Sequence, residues 1–362
     1  LAAEPRLRVA ASLLLEGADV ASLSRAYCGE RFAPATLDRA TLAALATLEG
    51  CAVEHPEMPD AVRFELPDWL LPLFAARFGD ALAAEMAALA LPAPLDLRVN
   101  LLKATREEAQ AMLAADDVEA APTPLSPWGL RVFGRTALGA TKAFRSGVVE
   151  IQDEGSQLVA ALVGAAPGMR VADWCAGAGG KTLAMAMTMG NRGQIVACDI
   201  SLPRLEGAIR RLRRAGVDNV ERHLIQQPDE TWATARAGSF DRVLVDAPCT
   251  GTGTWRRNPD ARRRLARGEL AGLLLRQAAI LAAAARLVRT GGRLVYATCS
   301  LLSEENEAQV SAFLARQPGY ALVPLSAVWP LDAVRCRDPY LALTPRRHGT
   351  DGFFGAVLER VA

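Results

Sequence analysis

The stretch ADWCAGAGGKT, residues 172–182, decides the fold of this chain. A short apolar run ends at Asp173, glycines follow at 177, 179 and 180, and a helical pattern begins near Thr182. Glycine lets the backbone turn sharply and approach a ligand closely, and the N-terminus of the next helix offers free amides. The stretch therefore predicts a strand, a ligand-binding loop and a helix.

The glycine pattern excludes two common nucleotide loops. A Walker A loop would need glycine where Cys175 stands, and the nicotinamide fingerprint would need it at Thr182. Asp199 ends the next apolar run, where an acidic side chain can bind the ribose hydroxyls of an adenosine group. Taken alone, the glycine loop could also be a tight turn that binds no ligand. The presence of Asp199 at the end of the next strand favours an adenosine-containing ligand.

Beyond residue 150, apolar runs that predict strands alternate with helical patterns. The predicted strands are Met169–Trp174, Gln194–Ile200, Val220–Ile225, Asp241–Ala247 and Arg293–Thr298; the helices are Lys181–Met189, Ser201–Ala215 and Leu265–Val288. This alternation is typical of an α/β, Rossmann-like fold with a doubly wound, mostly parallel sheet. The terminal GFFGAVLERV predicts a strand that could add to the sheet edge. We expect a helical N-terminal region over 1–92, a small α/β subdomain over 93–149 and the Rossmann-like domain over 150–362.

Two cysteines follow predicted strands. LVDAPCTGTGTWRRNPD (244–260) places Asp246 at a strand end and Cys249 on the loop, and LVYATCSLLSEENEAQV (294–310) places Cys299 at the end of the fifth strand, with a helix predicted from Ser303. An isolated cysteine is more often a small buried apolar residue than a nucleophile. That simpler interpretation suits Cys28, Cys51, Cys198 and Cys336 but fits the two strand-end cysteines poorly.

These residue types suit methylation of a pyrimidine. Carbon 5 of the ring becomes nucleophilic only after a thiolate adds to carbon 6, and a carboxylic side chain at the ring nitrogen assists that addition. Cys299, Cys249 and Asp246 have the required chemistry. Spacing alone leaves open which cysteine attacks.

The chain resembles the Nop/Sun (RsmB-like) family of RNA (cytosine-5) methyltransferases. The resemblance rests on DAPCTGTGTWRRNPD, YATCS, CAGAGGKT, LRVNLLKATREE, IQDEGSQL and HGTDGFF. It implies S-adenosylmethionine as cofactor, Cys299 as nucleophile, Cys249 as the residue assisting product release, and Asp246 and Lys181 at the active site. It also implies that the subdomain over 93–149 is RRM-like and contacts RNA.

The resemblance and the loop together predict the cofactor pocket. We expect it to be lined by Cys175, Ala176, Gly177, Ala178, Gly179, Gly180, Lys181, Asp199, Arg204 and Asp246. Two departures stand out: Ala178 replaces the proline usual in the family, and LIQQPDE (224–230) lacks the usual aspartate immediately after the third strand. Gln226, Gln227 or Asp229 could contact the adenine instead.

Composition narrows the remaining possibilities. The seven cysteines are too sparse for a disulfide framework, which predicts a reducing, cytoplasmic compartment. Because no two of them form a C-x-x-C pair and the three histidines are scattered, we expect no metal site. Arg276 and Arg286 interrupt the most apolar long stretch, 271–288, which argues against a membrane span. We expect a monomer whose partner is RNA.

The net charge is only +1, from 41 basic and 40 acidic residues, but the arginines are clustered. One run spans Arg256–Arg267 and another Arg204–Arg214, while Glu304, Glu305 and Glu307 are expected to balance them elsewhere. Such runs are often solvated faces; the first follows the Cys249 loop and is predicted to contact RNA phosphates. Trp255 could either stack on a base or pack in the interior.

We therefore predict a cytoplasmic enzyme that methylates carbon 5 of a cytosine in RNA, most simply ribosomal RNA. The alternatives are another RNA substrate, such as transfer RNA, DNA as the substrate, or a weakly catalytic RNA-binding assembly factor.

Overall fold

The computed structural model describes residues 4–53, 55, 57–226, 230–329, 331 and 339–362. The chain divides into two compact units, Leu1–Leu66 and Pro67–Ala362. Cys336, Gln227 and Asp229, named above, lie outside the described residues.

The first unit is helical. Asp19 and Asp38 cap two of its helices by accepting hydrogen bonds from the backbone amides of Ser22 and Thr41. Cys28 and Cys51 are exposed in this unit, so the expectation that they are buried apolar residues is wrong. The helices are α1 (Pro5–Leu15), α2 (Val20–Ala26), α3 (Arg39–Ala46) and α4 (Asp60–Arg63). The first three contribute to a core of Ala10, Leu14, Leu23, Tyr27, Leu37 and Leu45.

The second unit begins with α5 (Leu71–Phe78) and α6 (Leu82–Ala90). The ring of Phe74 on α5 stacks on Trp255, and the carbonyl of Leu89 on α6 accepts a hydrogen bond from Arg262. These two helices, which the sequence groups with the N-terminal region, thus pack against the part of the chain that carries the Cys249 motif.

A small four-stranded antiparallel sheet follows, in the order β2-β3-β1-β4. Thr105 and Glu108 form the reciprocal capping box that their spacing predicts at the start of α7. The core includes Leu97, Leu113, Leu130 and Val149. The elements are β1 (Leu95–Val99), α7 (Arg106–Ala114), β2 (Ala120–Pro122), β3 (Gly129–Val132), α8 (Lys142–Arg145) and β4 (Val149–Ile151).

The rest of the unit is a Rossmann-like domain around an eight-stranded sheet. Its first half comprises α9 (Glu154–Leu162), β5 (Arg170–Asp173), α10 (Gly180–Met189), β6 (Gln194–Asp199), α11 (Leu202–Ala215), β7 (Val220–Leu224), α12 (Glu230–Ala235) and β8 (Phe240–Asp246). Its second half comprises α13 (Asp260–Arg264), α14 (Arg267–Ala285), β9 (Val288–Thr298), α15 (Glu307–Arg316), β10 (Tyr320–Val323), α16 (Leu325–Val328), β11 (Leu341–Leu343), α17 (Pro345–His348) and β12 (Phe353–Arg360).

The strand order β10-β12-β9-β8-β5-β6-β7 confirms the predicted fold class. Strands β5 to β9 are parallel, and the order reverses between β5 and β8, the position where ligands bind in such sheets. The last strand, β12, lies antiparallel between β9 and β10, so it is an interior strand and not the edge strand that the sequence suggested. Its run from Phe353 to Leu358 is almost wholly apolar and buried, as an interior position requires.

Two helices in the second half differ from expectation. Helix α15 begins at Glu307 with Asn306 as its N-cap residue, four residues later than predicted, because 303–306 form a turn beside the site. Helix α14 is the one helix of the described chain long and apolar enough to cross a membrane. Here it packs on β8 and β9 through buried Leu281, Ala284 and Ala285.

Candidate active site

The glycine loop joins β5 to α10 and folds back onto the end of β6. Gly179 occupies the N-cap position of α10 with φ +79°, and Gly177 has φ +55°, conformations that disfavour other residues. The carboxylate of Asp199 accepts hydrogen bonds from the backbone amides of Gly177 and Ser201, each at 2.8 Å. The structure therefore brings together the loop and the acidic residue that the sequence paired.

Several features of this corner suit an adenosine ligand with a charged tail. The space where a side chain of Gly177 would project is open, and the amides that begin α10 have no acceptor inside the helix. Asp173 accepts a hydrogen bond from Thr182 at 2.6 Å, but its other oxygen is buried without a partner among the described residues. Ile200, 70% exposed beside Asp199, offers an apolar surface to a base, a feature that the sequence analysis missed.

Burial changes the protonation of two groups at this corner. It raises the pKa of Asp173 to about 7. It also raises the pKa of Cys175 well above the usual range, with the charges of Asp246, Asp173 and Asp199 adding to the effect. Cys175 is therefore a neutral thiol that lines the loop and not a nucleophile.

The remaining predicted cofactor residues are spread around the loop. The amide of Ala176 donates to Cys198 O, which anchors the loop to β6, and the exposed Ala178 accepts from the guanidinium of Arg211 at 2.7 Å. Within the described residues, this hydrogen bond from Arg211 links α11 to the loop, and Arg204 makes no such bond. Arg204 is exposed in the first turn of the helix. Gln226 is exposed after β7.

A buried arginine supports the loop from behind. Arg98 on β1 is 2% exposed and donates to the carbonyl of Gly180 at 2.7 Å and to the side-chain oxygen of Gln152. Burial lowers the pKa of its guanidinium to about 10, partly countered by Glu150, so it stays charged at neutral pH. Arg98 lies in the LRVNLLKATREE stretch that carries the family resemblance, and nothing in the spacing of that stretch points to this contact.

The two strand-end cysteines lie in contact. Cys249 follows β8, Cys299 follows the neighbouring β9, and their Sγ atoms are 3.5 Å apart. The hydrogen bond with Cys299, burial, and the charges of Cys299 and Glu305 together hold the pKa of Cys249 well above its usual range. Cys249 is therefore a protonated thiol in contact with the sulfur of Cys299, and either sulfur can be the donor of this contact.

Lys181 and Asp246 complete the group. The Nζ atom of Lys181, on the first turn of α10, donates to Asp246 at 2.6 Å at the end of β8. Burial lowers the pKa of Lys181, but the carboxylate of Asp246 more than offsets this, so the pKa lies above its ordinary value. The ammonium group stays charged, and Cys299 is among the groups that interact with it electrostatically.

A fifth residue of the site, Glu305, was missed by the sequence analysis. Its side chain is fully buried and accepts hydrogen bonds from the amide and hydroxyl of Thr250 and from the hydroxyl of Ser300. These are the residues that follow Cys249 and Cys299. Glu305 therefore does not balance a distant basic run, as expected, but links the two cysteine loops.

Three of the six arginines in the first basic run make internal contacts, so the predicted contact with RNA phosphates is left to the other three. Asp351 of the HGTDGFF motif pairs with Arg256 and Arg257, and Asp153 of the IQDEGSQL motif binds Arg257 at 2.9 Å. The sequence gives no sign of these pairs, because their partners lie about a hundred residues away. Arg263, Arg264 and Arg267 remain exposed.

Two further residues of that segment are buried. Trp255 is 1% exposed and stacked on Phe74, with ring centroids 5.7 Å apart, so it packs in the interior and is not available to stack on a base. Arg262 is 3% exposed and lies over the Trp255 ring. Both fix α5 and α6 against the loop after Cys249.

The second basic run lies along α11 beside the small subdomain. Arg211 and Arg214 both pair with Glu150 on β4, while Arg210 and Arg213 remain exposed. Lys103 donates to the carbonyls of Ser146 and Arg214, which holds the subdomain on the end of the helix.

No group of three or more His, Cys, Asp or Glu side chains arranged to hold a metal ion occurs within the described ranges.

Comparison with known proteins gives the family. A family model described as "16S rRNA methyltransferase RsmB/F" matches residues 160–359, and one described as "Methyltr_RsmF/B-like, ferredoxin-like domain" matches residues 66–138. The second match covers α5, α6 and strands β1, β2 and β3 of the small sheet, and it ends before β4.

Individual relatives agree. The chain is 36% identical over 303 residues to a probable ribosomal RNA small subunit methyltransferase B of Synechocystis sp., covering 82% of this chain and 67% of that protein. It is 34% identical to the probable enzyme of the same name from Bacillus subtilis, covering 84% and 68%. It thus spans about two thirds of these relatives' length.

A solved structure extends the likeness to the fold. The crystal structure of PH0851 superposes with a TM-score of 0.80 at 30% identity and covers 99% of this chain and 83% of that one. The chain belongs to the RsmB/F family of S-adenosylmethionine-dependent RNA methyltransferases.

Proposed function

We propose that this protein methylates carbon 5 of a cytosine in 16S ribosomal RNA, with Cys299 as nucleophile and Cys249 assisting product release. The observation that carries the proposal is the thiol pair of Cys249 and Cys299, 3.5 Å apart beside the Lys181–Asp246 ion pair. The named relatives act on the small-subunit ribosomal RNA, and the glycine loop with Asp199 suits the cofactor.

The first stage is addition to the ring. The Cys299 thiolate forms a bond to carbon 6, and the ring electrons move toward carbon 5 and the ring nitrogen, which takes up a proton. Lys181 stabilises the thiolate before attack, and the Asp246 carboxylate accepts a hydrogen bond from the protonated ring. Bound S-adenosylmethionine supplies an electrophilic methyl group, for which Asp199, Gly177 and the first amides of α10 form the holding site.

The second stage is release. Once the methyl group is on carbon 5, with S-adenosylhomocysteine left as the other product, carbon 5 would carry both a methyl group and a proton; the proton leaves to a base, the carbon 6–sulfur bond breaks, and Cys299 returns as a thiolate. The ring nitrogen gives up its proton, so the whole reaction releases one proton. Cys249 touches the leaving sulfur, which is the position from which it can assist this stage.

The target cytosine must leave its base stack to reach the site. Cys249 and Cys299 are each only partly exposed, on loops at the strand ends, so a stacked and paired base could not present carbon 6 to the sulfur.

The test is methyl transfer from labelled S-adenosylmethionine to unmodified 16S rRNA, with the product identified by nucleoside mass spectrometry. Wild type and Cys28→Ala, an exposed cysteine remote in sequence from the motifs, are expected to yield 5-methylcytosine. Cys299→Ala is expected to yield none above background. Substantial 5-methylcytosine from Cys299→Ala would overturn the nucleophile assignment, and a different methylated nucleoside from wild type would overturn the reaction.

A further inference from the structure

Glu305 is placed to control the thiol pair. Its Oε1 atom accepts hydrogen bonds from the amide of Thr250 and from Nε2 of Gln277, each at 2.9 Å, and its Oε2 atom accepts from the hydroxyls of Thr250 and Ser300. One carboxylate thus binds the residue after each cysteine.

The same carboxylate also fixes the other side of Cys249. Gln277 on α14, fully buried, donates from Nε2 both to Glu305 and to the carbonyl of Pro248 at 3.0 Å. Glu305 therefore holds Thr250 directly and holds Pro248 through the side-chain amide of Gln277. Because the chain on both sides is fixed, the position of the Cys249 sulfur relative to Cys299 depends on Glu305.

Glu305 makes four hydrogen bonds to its surroundings. All four are donated to it, and among the described residues no lysine or arginine forms an ion pair with it. The negative charge is therefore not cancelled locally and acts on Cys249.

The other titratable groups around the pair are arranged unequally. Lys181, with its partner Asp246, interacts with Cys299, whereas Tyr296 on β9 lies within the influence of Cys249 and Glu305. Lys181 thus interacts electrostatically with Cys299, and Glu305 with Cys249.

We propose that Glu305 is a positioning residue that makes the two cysteines unequal, keeping the proton on Cys249 and leaving the thiolate on Cys299. The assignment of Cys299 as nucleophile rests on the proposed function; the inequality of the thiols does not. A single carboxylate then sets both the spacing of the sulfurs and which of them attacks.

The informative variant is Glu305→Gln. The glutamine oxygen can accept from the Thr250 amide and from Gln277, and its NH₂ group can donate to the hydroxyls of Thr250 and Ser300 once these rotate. The variant therefore keeps the hydrogen bonds and removes the charge. Glu305→Ala, by contrast, removes both and leaves buried donors without partners.

The experiment measures iodoacetamide labelling of each cysteine against pH, at low extents of modification, by peptide mass spectrometry. In wild type, Cys299 is expected to react at lower pH than Cys249. In Glu305→Gln, Cys249 is expected to react about tenfold faster at a fixed pH below its midpoint, as a shift of one pH unit would give. Glu304→Gln, the adjacent acid, is the control and should leave both profiles in place.

An unchanged Cys249 profile in folded Glu305→Gln would overturn the proposal. If that variant does not fold, the wild-type profiles decide, because equal midpoints or a lower one for Cys249 would also overturn it. Labelling needs neither RNA nor methyl transfer. Failure of the proposed reaction would appear as methylation by Cys299→Ala, so the two failures are distinguishable.

Discussion

The Nζ atom of Lys181 lies 2.6 Å from Oδ2 of Asp246, although 65 residues separate them in the chain. The contact joins the first turn of α10, on the cofactor side, to the end of β8, on the cysteine side. A cation here faces both Asp246 and Cys299, so the ion pair connects the cofactor corner to the predicted nucleophile.

Lys181→Met should lower the rate of methyl transfer about 100-fold or more, the scale of losing one preorganised charged group. Without the ammonium, Asp246 loses its ion-pair partner and the proposed Cys299 thiolate loses a stabilising positive charge. The measurement is single-turnover transfer at saturating RNA and cofactor, with the exposed Lys142→Met as control. Full single-turnover activity in Lys181→Met would contradict the role assigned to this pair.

Cys249→Ala should form the covalent bond to RNA but release it slowly. The variant keeps Cys299, Lys181 and Asp246 and loses only the thiol that touches the leaving sulfur. A protein–RNA complex that survives denaturing gel electrophoresis is expected in the presence of cofactor and should be absent from Cys299→Ala and the double variant. Absence of the complex from Cys249→Ala would show that release does not depend on this thiol.

Sequence alone could predict the framework of the site, because parallel strands place their carboxyl ends on one edge. Asp173, Asp199, Asp246 and Cys299 each end an apolar run, so a doubly wound sheet must bring them near one another. The parallel strands themselves could be predicted from the apolar runs that alternate with helical patterns. The interior position of β12 did not follow, because one apolar strand fits an edge or an interior position equally well in sequence.

The roles of the charged residues could not be predicted. A basic run looks the same in sequence whether solvent surrounds it or a distant acid neutralises it. Arg256 pairs with Asp351 and Asp153, which lie about a hundred residues away on either side in the chain. Glu305 likewise reads as part of an acidic, exposed helix start. Only the folded chain shows that it is buried between the cysteine loops.

Asp351→Asn should destabilise the second unit by about 3 kcal/mol, the scale of breaking a buried ion pair. Asp351 is 1% exposed and pairs with Arg256, which is also buried, so the variant leaves part of a buried positive charge uncompensated. Glu359→Gln, which breaks the more exposed pair with Arg293, should cost less than ~1 kcal/mol. The measurement is the urea midpoint of unfolding, and equal losses in the two variants would contradict the argument.

Asp173 should make the cofactor-free protein less stable as pH rises. Burial raises its pKa to about 7 from an ordinary value of 3.8, so between these values the folded state holds a proton that the unfolded state has lost. Stability due to this group is therefore greatest below pH 4 and falls until about pH 7, by on the order of 4 kcal/mol.

The check compares unfolding midpoints of wild type and Asp173→Asn at pH 5 and pH 8. The asparagine cannot ionise, so the variant should lose less stability between the two pH values than wild type does. The comparison is made within each protein because other carboxyls, such as Asp153 with a pKa of about 6, titrate in both. Parallel pH dependences would show that Asp173 does not ionise in this range.

The exposed arginines of α11 are expected to contact the RNA backbone. Arg210 and Arg213 face solvent on the helix whose Arg211 holds the glycine loop, and the alternative surface is Arg263 and Arg264, the exposed remainder of the other basic run. Arg210→Glu with Arg213→Glu should weaken RNA binding about tenfold and lower the slope of log affinity against log salt by about 2. Arg263→Glu with Arg264→Glu serves as the matched control. If only this second pair weakens binding, the RNA crosses the Cys249 side of the molecule and not α11.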